Sequence, residues 1–107
     1  MDVPKVDIAA FASLQAGGVT VVDVREPDEY EAGHVPGAVP IPLGEIEDRA
    51  GEVPAGSTVY LICALGGRSR RAAEHLATLG RDVVNVEGGT TGWIEAGHPT
   101  VDGPQPG

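Results

Sequence analysis

The sequence predicts one α/β domain with a mostly parallel sheet covered by helices on both faces. Short β-branched runs alternate with stretches of helical periodicity along the chain. Two of these runs, 19–25 and 57–63, are apolar almost throughout, as strands buried on both faces of a sheet are. No repeat or long linker divides the 107 residues, so we expect a single domain over 1–107 with an ordered core over about 4–98.

The predicted elements follow one another in a regular order. In the first half they are a helix from residue 8 that stops at 17–18, a strand over 19–25, a helix over 26–33, a very short strand near 38–39 and a short helix over roughly 43–49. In the second half they are a strand over 57–63, a helix over 68–80, a strand over 82–86 and a turn with a last short helix over 88–97. The carboxyl ends of parallel strands meet at one edge of a sheet, where ligands bind.

Local signals justify the elements of the first half. Asp7 is a candidate N-cap, and Ile8, Phe11 and Leu14 after it recur at helical spacing. The second helix starts with acids and a proline, which favour a helix N-terminus, and stops at a glycine. Prolines and glycines punctuate the stretch 34–46, which predicts mostly loop there.

The second half has the strongest strand and the longest helix. The run "STVYLIC" (57–63) leads directly into the helix over 68–80, where Ala72 and Leu76 share one face. The last nine residues, "PTVDGPQPG" (99–107), are rich in proline and glycine, so we expect a mobile tail.

Composition excludes several classes of function. The formal net charge is −9, with 16 acidic against 7 basic residues, so the chain repels nucleic acid and anionic membranes. No apolar run approaches a membrane span, and the first residues do not resemble a signal peptide. One cysteine cannot form an internal disulfide, which suits a reducing compartment, so we expect a cytoplasmic protein.

The single cysteine lies at the mouth of a glycine turn, in "ICALGGRSRR" (62–71). Gly66 and Gly67 allow positive φ, so the loop amides can point inward, and the following helix adds the positive end of its dipole. Arg68 adds a full charge. These surroundings form an anion cradle that lowers the pKa of a cysteine, which makes Cys63 a candidate catalytic nucleophile.

Cys63 has a simpler explanation as a small buried residue at a strand end, but that role requires neither the glycines nor the arginine. Two reactions suit a thiolate in such a cradle, namely sulfur transfer through a persulfide and hydrolysis of phosphate esters. The spacing Cys-x4-Arg gives a six-residue loop, whereas cysteine phosphatases have one residue more. A tetrahedral phosphoryl group needs a wider ring of hydrogen-bond donors, so the shorter loop favours sulfur transfer.

Three motifs occur in the order found in single-domain rhodaneses. "VVDVREPDEYEAGHVPGAVPIPL" is similar to the first signature of that family, "CALGGRS" resembles its active-site loop, and "VEGGTTGWIEAGHP" is similar to its closing signature. The chain therefore resembles a rhodanese, a sulfurtransferase, over nearly its whole length. The resemblance implies a parallel five-stranded sheet flanked by helices and a persulfide intermediate on Cys63.

The sequence departs from the family pattern directly after the cysteine. Many active rhodaneses have arginine or lysine there, whereas this chain has Ala64. Because this cation is missing, we expect weaker binding of a dianionic sulfur donor such as thiosulfate. The nucleophile, the loop amides and Arg68 are still present. The candidate substrate-binding residues are Ala64, Leu65, Gly66, Gly67, Arg68 and Ser69.

Other polar residues have two interpretations each. Arg70 and Arg71 are either solvated or recruit an acidic donor or partner, since the helix dipole disfavours cations in a first turn. Four residues are candidate scaffold residues of the site: Asp23, Arg25, His34 and Trp93. Asp23 either hydrogen-bonds groups of the loop or is a structural carboxylate that pairs with Arg25 or caps the next helix. The histidines lack ligand spacing, so we expect no metal and no cofactor.

Three functions remain open, of which sulfur transfer is the leading one. The enzyme would move sulfane sulfur from thiosulfate or a low-molecular-weight persulfide to a thiol, cyanide or a protein acceptor. The second hypothesis is a cysteine phosphatase or arsenate reductase on the same fold, although the loop length disfavours both. The third is a docking module without activity, although such modules commonly lose the cysteine.

Overall fold

Five parallel strands form the central sheet of the computed structural model, which describes residues 2–107. In chain order the strands are β1 (Lys5–Val6), β2 (Thr20–Asp23), β3 (Val39–Pro40), β4 (Val59–Ile62) and β5 (Val83–Val86). Across the sheet their order is β1-β5-β4-β2-β3. The helices are α1 (Ile8–Ala16), α2 (Pro27–Ala32), α3 (Gly67–Thr78) and α4 (Gly89–Glu95). The predicted five-stranded parallel sheet is therefore confirmed.

Helices cover both faces of the sheet, and each face has its own apolar core. On one face Leu76 and the alanines of α3 pack against β2 and β4. On the other face Phe11 of α1, Tyr30 of α2 and Trp93 of α4 pack together with Ile62. Neighbouring residues of a strand point to opposite faces, which explains why β4 is apolar throughout and why Val21 and Val22, in the middle of β2, are both apolar.

The strand register places the ends of β2 and β4 side by side. Asp23 is opposite Ile62, and the amide of Val24 donates to the carbonyl of Ile62 over 3.0 Å. The residues that follow these strands, including Cys63, therefore lie at the same edge of the sheet. This edge is the carboxyl end, where parallel sheets bind ligands.

One predicted element differs from the structure, and one observed strand was not predicted from periodicity. The helix expected over 43–49 is wrong, because two short 3-10 segments, Leu43–Glu45 and Ala50–Glu52, lie on either side of a turn there. Gly44 and Gly51 weaken helical continuity in this stretch. Strand β1 has no counterpart among the elements predicted from periodicity, because two residues are too few to show a pattern.

Residues 99–107, expected to form a mobile tail, are docked on the body of the protein. Val101 and His34 exchange two backbone hydrogen bonds of 2.9 and 3.0 Å, and the amide of Gly103 donates to the carbonyl of Glu31. The carbonyl of Pro106 accepts from the amide of Gly37. These bonds use backbone groups, which composition does not reveal. Within residues 2–107, no helix has the length and apolar character needed to cross a membrane.

Candidate active site

Cys63 follows the last residue of β4, and the loop after it turns directly into α3. Gly66 is the residue before the helix and has a φ of +129°, which favours glycine. Gly67 is already helical, so the expectation that it too supplies a positive φ is wrong. The loop thus depends on one left-handed glycine, and Cys63 is 1% exposed beneath it.

Hydrogen bonds from the backbone converge on the sulfur. The amide of Gly66 donates to Cys63 Sγ over 3.1 Å. Burial favours the neutral thiol, but hydrogen bonds from the hydroxyl and amide of Ser69 and from the amides of Gly66 and Leu65 outweigh it. The pKa of the Cys63 thiol is consequently lowered, as the sequence led us to expect.

Ser69 links the sulfur to a residue that the sequence analysis missed. Its Oγ lies 3.3 Å from Cys63 Sγ, 3.2 Å from the carbonyl oxygen of Gly66 and 2.6 Å from Oδ1 of Asn85. The amide Nδ2 of Asn85 donates to the carbonyl of Gly66 over 3.1 Å. Asn85, on the neighbouring strand β5, is 4% exposed and contacts both the loop and the hydroxyl.

Arg68 closes the loop, but its charge is already paired. NH1 and NH2 donate to Oε1 and Oε2 of Glu29 over 2.7 and 3.0 Å, which is a bidentate ion pair. The hydrogen bonds from Arg68 lower the pKa of Glu29 to about 2. From the sequence we expected Arg68 to add a full positive charge to the loop, whereas here a carboxylate of α2 compensates that charge.

Asp23 and Arg25 form a second ion pair beside the loop. Oδ2 of Asp23 accepts from NH2 of Arg25 over 2.9 Å, and both residues are buried. Arg25 NH2 also donates to the carbonyl of Gly33, at the end of α2. The contacts agree with the structural interpretation of this pair, because the carboxylate binds Arg25 and fixes the chain between β2 and α2.

The start of α4 holds the other side of the loop. The amide of Thr90 donates to the carbonyl of Cys63 over 2.8 Å, and the amide of Thr91 donates to that of Ala64 over 3.0 Å. Gly89 has a φ of +57°, and a Cβ there would lie 2.4 Å from both of these carbonyl oxygens. No side chain fits between α4 and the loop, so this glycine sets their close approach.

The hydrogen bonds of the His34 and Trp93 side chains go to partners other than Cys63. His34 is buried, with its ring nitrogens 2.9 Å from the carbonyl of Tyr30 and 3.2 Å from that of Pro106. Trp93 packs edge-on against Phe11. Both positions fit scaffold roles, since His34 ties α2 to the tail and Trp93 anchors α4.

An open cavity of about 710 Å³ lies over the loop and the first turns of α3. Arg70 and Arg71 contribute to its lining, and Arg70 also lies 3.6 Å from Glu74. Leu65 at the rim is 70% exposed. Across residues 2–107, His, Cys, Asp and Glu side chains form no group of three suited to a metal ion.

Comparison with known proteins relates this chain to one family. The model of the family described as "Rhodanese-like domain" matches residues 9–96. "Putative sulfur carrier protein YrkF" of Bacillus subtilis (strain 168) is 39% identical over 94 residues, which cover 85% of this chain and 51% of that protein. The chain spans about half the length of the curated relatives it matches.

Solved structures extend the similarity to the fold. A rhodanese-related protein from Thermoplasma volcanium is 36% identical with a TM-score of 0.86, over 92% of this chain and 97% of that one. A thiosulfate sulfurtransferase from Pseudomonas aeruginosa is 25% identical with a TM-score of 0.84, over 97% of this chain and 20% of that one.

Proposed function

The chain belongs to the rhodanese-like domain family, and from this we propose that it is a sulfurtransferase in which Cys63 carries sulfane sulfur as a persulfide. The observation that carries the proposal is the ring of hydrogen-bond donors around Sγ, in which the Ser69 hydroxyl and the loop amides together outweigh burial and favour the thiolate. A thiolate, unlike a thiol, attacks sulfur.

The proposed reaction has two displacement steps on sulfur. Cys63 Sγ attacks the outer sulfur of thiosulfate, the S–S bond of the donor breaks, and sulfite leaves with its electron pair. A low-molecular-weight persulfide reacts in the same way and releases a thiolate. A thiol, cyanide or protein cysteine then attacks the outer sulfur of the Cys63 persulfide, and Cys63 leaves as the thiolate. The loop amides stabilise the negative charge in both states.

The charges around the loop favour a persulfide donor over thiosulfate. Thiosulfate is a dianion, but Ala64 provides no cation and the charge of Arg68 is compensated by Glu29. The reactive end of a persulfide carries less charge and depends less on these residues. The single cysteine suits a reducing compartment, so we place the reaction in the cytoplasm.

Mass spectrometry of the sulfurated protein tests the reaction class. We expect wild-type protein incubated with thiosulfate or glutathione persulfide to gain one sulfur atom on Cys63 and to lose it when cyanide or a thiol is added. Cys63→Ser should gain none, because an oxygen nucleophile forms no S–S bond and residues 2–107 contain no other thiol. Far-UV circular dichroism of this variant checks that its fold is retained.

The same two proteins separate the alternatives. The wild type could hydrolyse an aryl phosphate and gain no sulfur, with the hydrolysis lost in Cys63→Ser. That result would support a phosphatase and refute the proposal. If the protein shows neither sulfur gain nor hydrolysis, the docking module becomes the better explanation.

A further inference from the structure

One hydroxyl proton serves three acceptors beside the sulfur. Ser69 Oγ has Cys63 Sγ, the carbonyl of Gly66 and Oδ1 of Asn85 within hydrogen-bond distance. A serine hydroxyl donates a single hydrogen bond, so these acceptors compete for it. The distance of 2.6 Å to Asn85 is the shortest of the three.

The orientation of the Asn85 amide decides this competition. The carbonyl of Gly66 can only accept, so the NH2 group of Asn85 must face it over 3.1 Å. Oδ1 therefore faces Ser69, and it can only accept as well. At 2.6 Å, two oxygens without a proton between them would repel each other, so the Ser69 hydroxyl donates to Asn85 in this arrangement.

We propose that Asn85 is a positioning residue that draws the Ser69 proton away from Cys63 while the cysteine is a thiol. Ser69 Oγ then presents a lone pair to the sulfur at 3.3 Å and accepts from the S–H group. When the thiol loses its proton, the hydroxyl turns to the negative sulfur and Asn85 loses its partner. The ionised sulfur thus gains one hydrogen bond at the expense of another, which limits how strongly Ser69 can stabilise it.

Burial makes this exchange consequential. Ser69 is 0% exposed and Asn85 4% exposed, so water does not readily replace the bond that Asn85 loses. Charged residues around this cluster are Arg68, which pairs with Glu29, and the cavity-lining residues beside Asn85 and the loop, namely Lys5, Arg70, Arg71, Glu74 and Glu87. The inference rests on the proposed role of Cys63, but its test measures the thiol itself and requires no sulfur transfer.

Asn85→Leu tests the proposal, because leucine has nearly the shape of asparagine without its acceptor. The measurement is the pH dependence of Cys63 alkylation by iodoacetamide, which gives the thiol pKa. We expect the pKa to fall by about 0.7 unit, because the Ser69 hydroxyl no longer gives up its short bond to Asn85 when it donates to the sulfur. At a pH below the pKa, this shift raises the thiolate fraction about fivefold. A pKa that is unchanged or higher would overturn the proposal.

Asn85→Leu also removes the hydrogen bond to the carbonyl of Gly66, which could loosen the loop and change the pKa by itself. Ser69→Ala distinguishes this effect from the proposed redirection of the Ser69 proton. In the Ser69→Ala background we expect Asn85→Leu to leave the pKa unchanged, because no hydroxyl is left to redirect. An equal shift in both backgrounds would assign the effect to the loop and refute the positioning role. If the leucine variant does not fold, Asn85→Val, whose branched side chain suits a strand, takes its place in the same cycle.

Discussion

At the scale of single residues, the charge of Arg68 is the most informative difference between sequence and structure. An arginine that closes an anion-binding loop is expected to contact the anionic sulfur donor directly. Here both terminal guanidinium nitrogens of Arg68 donate to the carboxylate of Glu29. The two side chains are 35% and 34% exposed, so solvent reaches the pair. We therefore expect Glu29 to disfavour the binding of anions at this loop.

Glu29→Gln is expected to improve the use of thiosulfate. The change leaves the charge of Arg68 uncompensated, and a unit charge near the anion lowers the Michaelis constant for thiosulfate by about two- to fivefold. The gain should be smaller for glutathione persulfide and should shrink as salt rises. Steady-state kinetics with both donors at two salt concentrations measures these effects.

Glu31→Gln provides the matched control. Glu31 lies on the same helix and its substitution changes the net charge equally, but it has no hydrogen bond to Arg68 among residues 2–107. If both variants lower the Michaelis constant for thiosulfate equally, or if Glu29→Gln leaves that constant unchanged, the Arg68–Glu29 pair does not control the binding of the sulfur donor.

The distance along the chain explains which site residues the sequence revealed. Cys63, Gly66, Arg68 and Ser69 are close neighbours in one motif, so their chemistry could be inferred together. Glu29 reaches Arg68 across 39 positions and Asn85 reaches Ser69 across 16. Such contacts depend on where each helix and strand begins and ends. Sequence periodicity gives these boundaries only to within a few residues.

At the scale of elements, the contact between α4 and the loop defines the position of Cys63. The first amides of α4 bind the carbonyls of Cys63 and Ala64, and Gly89 allows the helix to approach them. The sequence predicted the turn and the helix after it, but the short distance to the loop follows from the pairing of β4 with β5. The glycine is thus part of the support of the sulfur.

Gly89→Ala is expected to displace the loop and reduce sulfur transfer by about tenfold or more, since small misplacements at a reacting centre are costly. A Cβ would lie 2.4 Å from two backbone oxygens. Overpacking and the left-handed φ should together lower the free energy of unfolding by about 2–4 kcal/mol. Thermal unfolding and the rate of Cys63 sulfuration measure the two effects.

Gly97→Ala is the control for backbone conformation alone. Gly97 has a φ of +87°, and beyond its chain neighbours no atom of residues 2–107 lies within 4 Å of the point that a Cβ would occupy. The substitution therefore carries the conformational cost without the clash. Its sulfuration rate should stay at the wild-type level. Equal behaviour of the two variants would show that close packing at Gly89 does not position the loop.

At the scale of the whole molecule, the fold class was predictable and the course of the tail was not. Alternating apolar runs and helices specify a parallel α/β sheet, because few other arrangements bury both faces of such strands. The tail has no periodic pattern, and its contacts are mostly backbone hydrogen bonds. Its proline and glycine content therefore indicated mobility, whereas the structure docks it against α2 and α4 through His34 and Trp93.

Deletion of residues 99–107 is expected to destabilise the protein. His34 and Gly37 lose their bonds to the tail, and Trp93 Nε1 loses the carbonyl of Pro99 at 2.8 Å. Water replaces part of these bonds, so we expect a loss of about 2 kcal/mol, which lowers Tm by ~10 °C. Calorimetry of both forms provides the measurement, and an unchanged Tm would favour the mobile tail that the composition predicted.

The amides that surround Sγ have a consequence for how this protein can evolve. The peptide N–H of Leu65 or Gly66 belongs to the main chain, so exchanging a side chain does not remove it, and only proline abolishes the donor. Leu65 directs its side chain to solvent while its amide favours the thiolate. Selection can therefore vary the outer rim of the loop, and with it the choice of sulfur donor or acceptor, while the main-chain hydrogen-bond donors to the sulfur are retained.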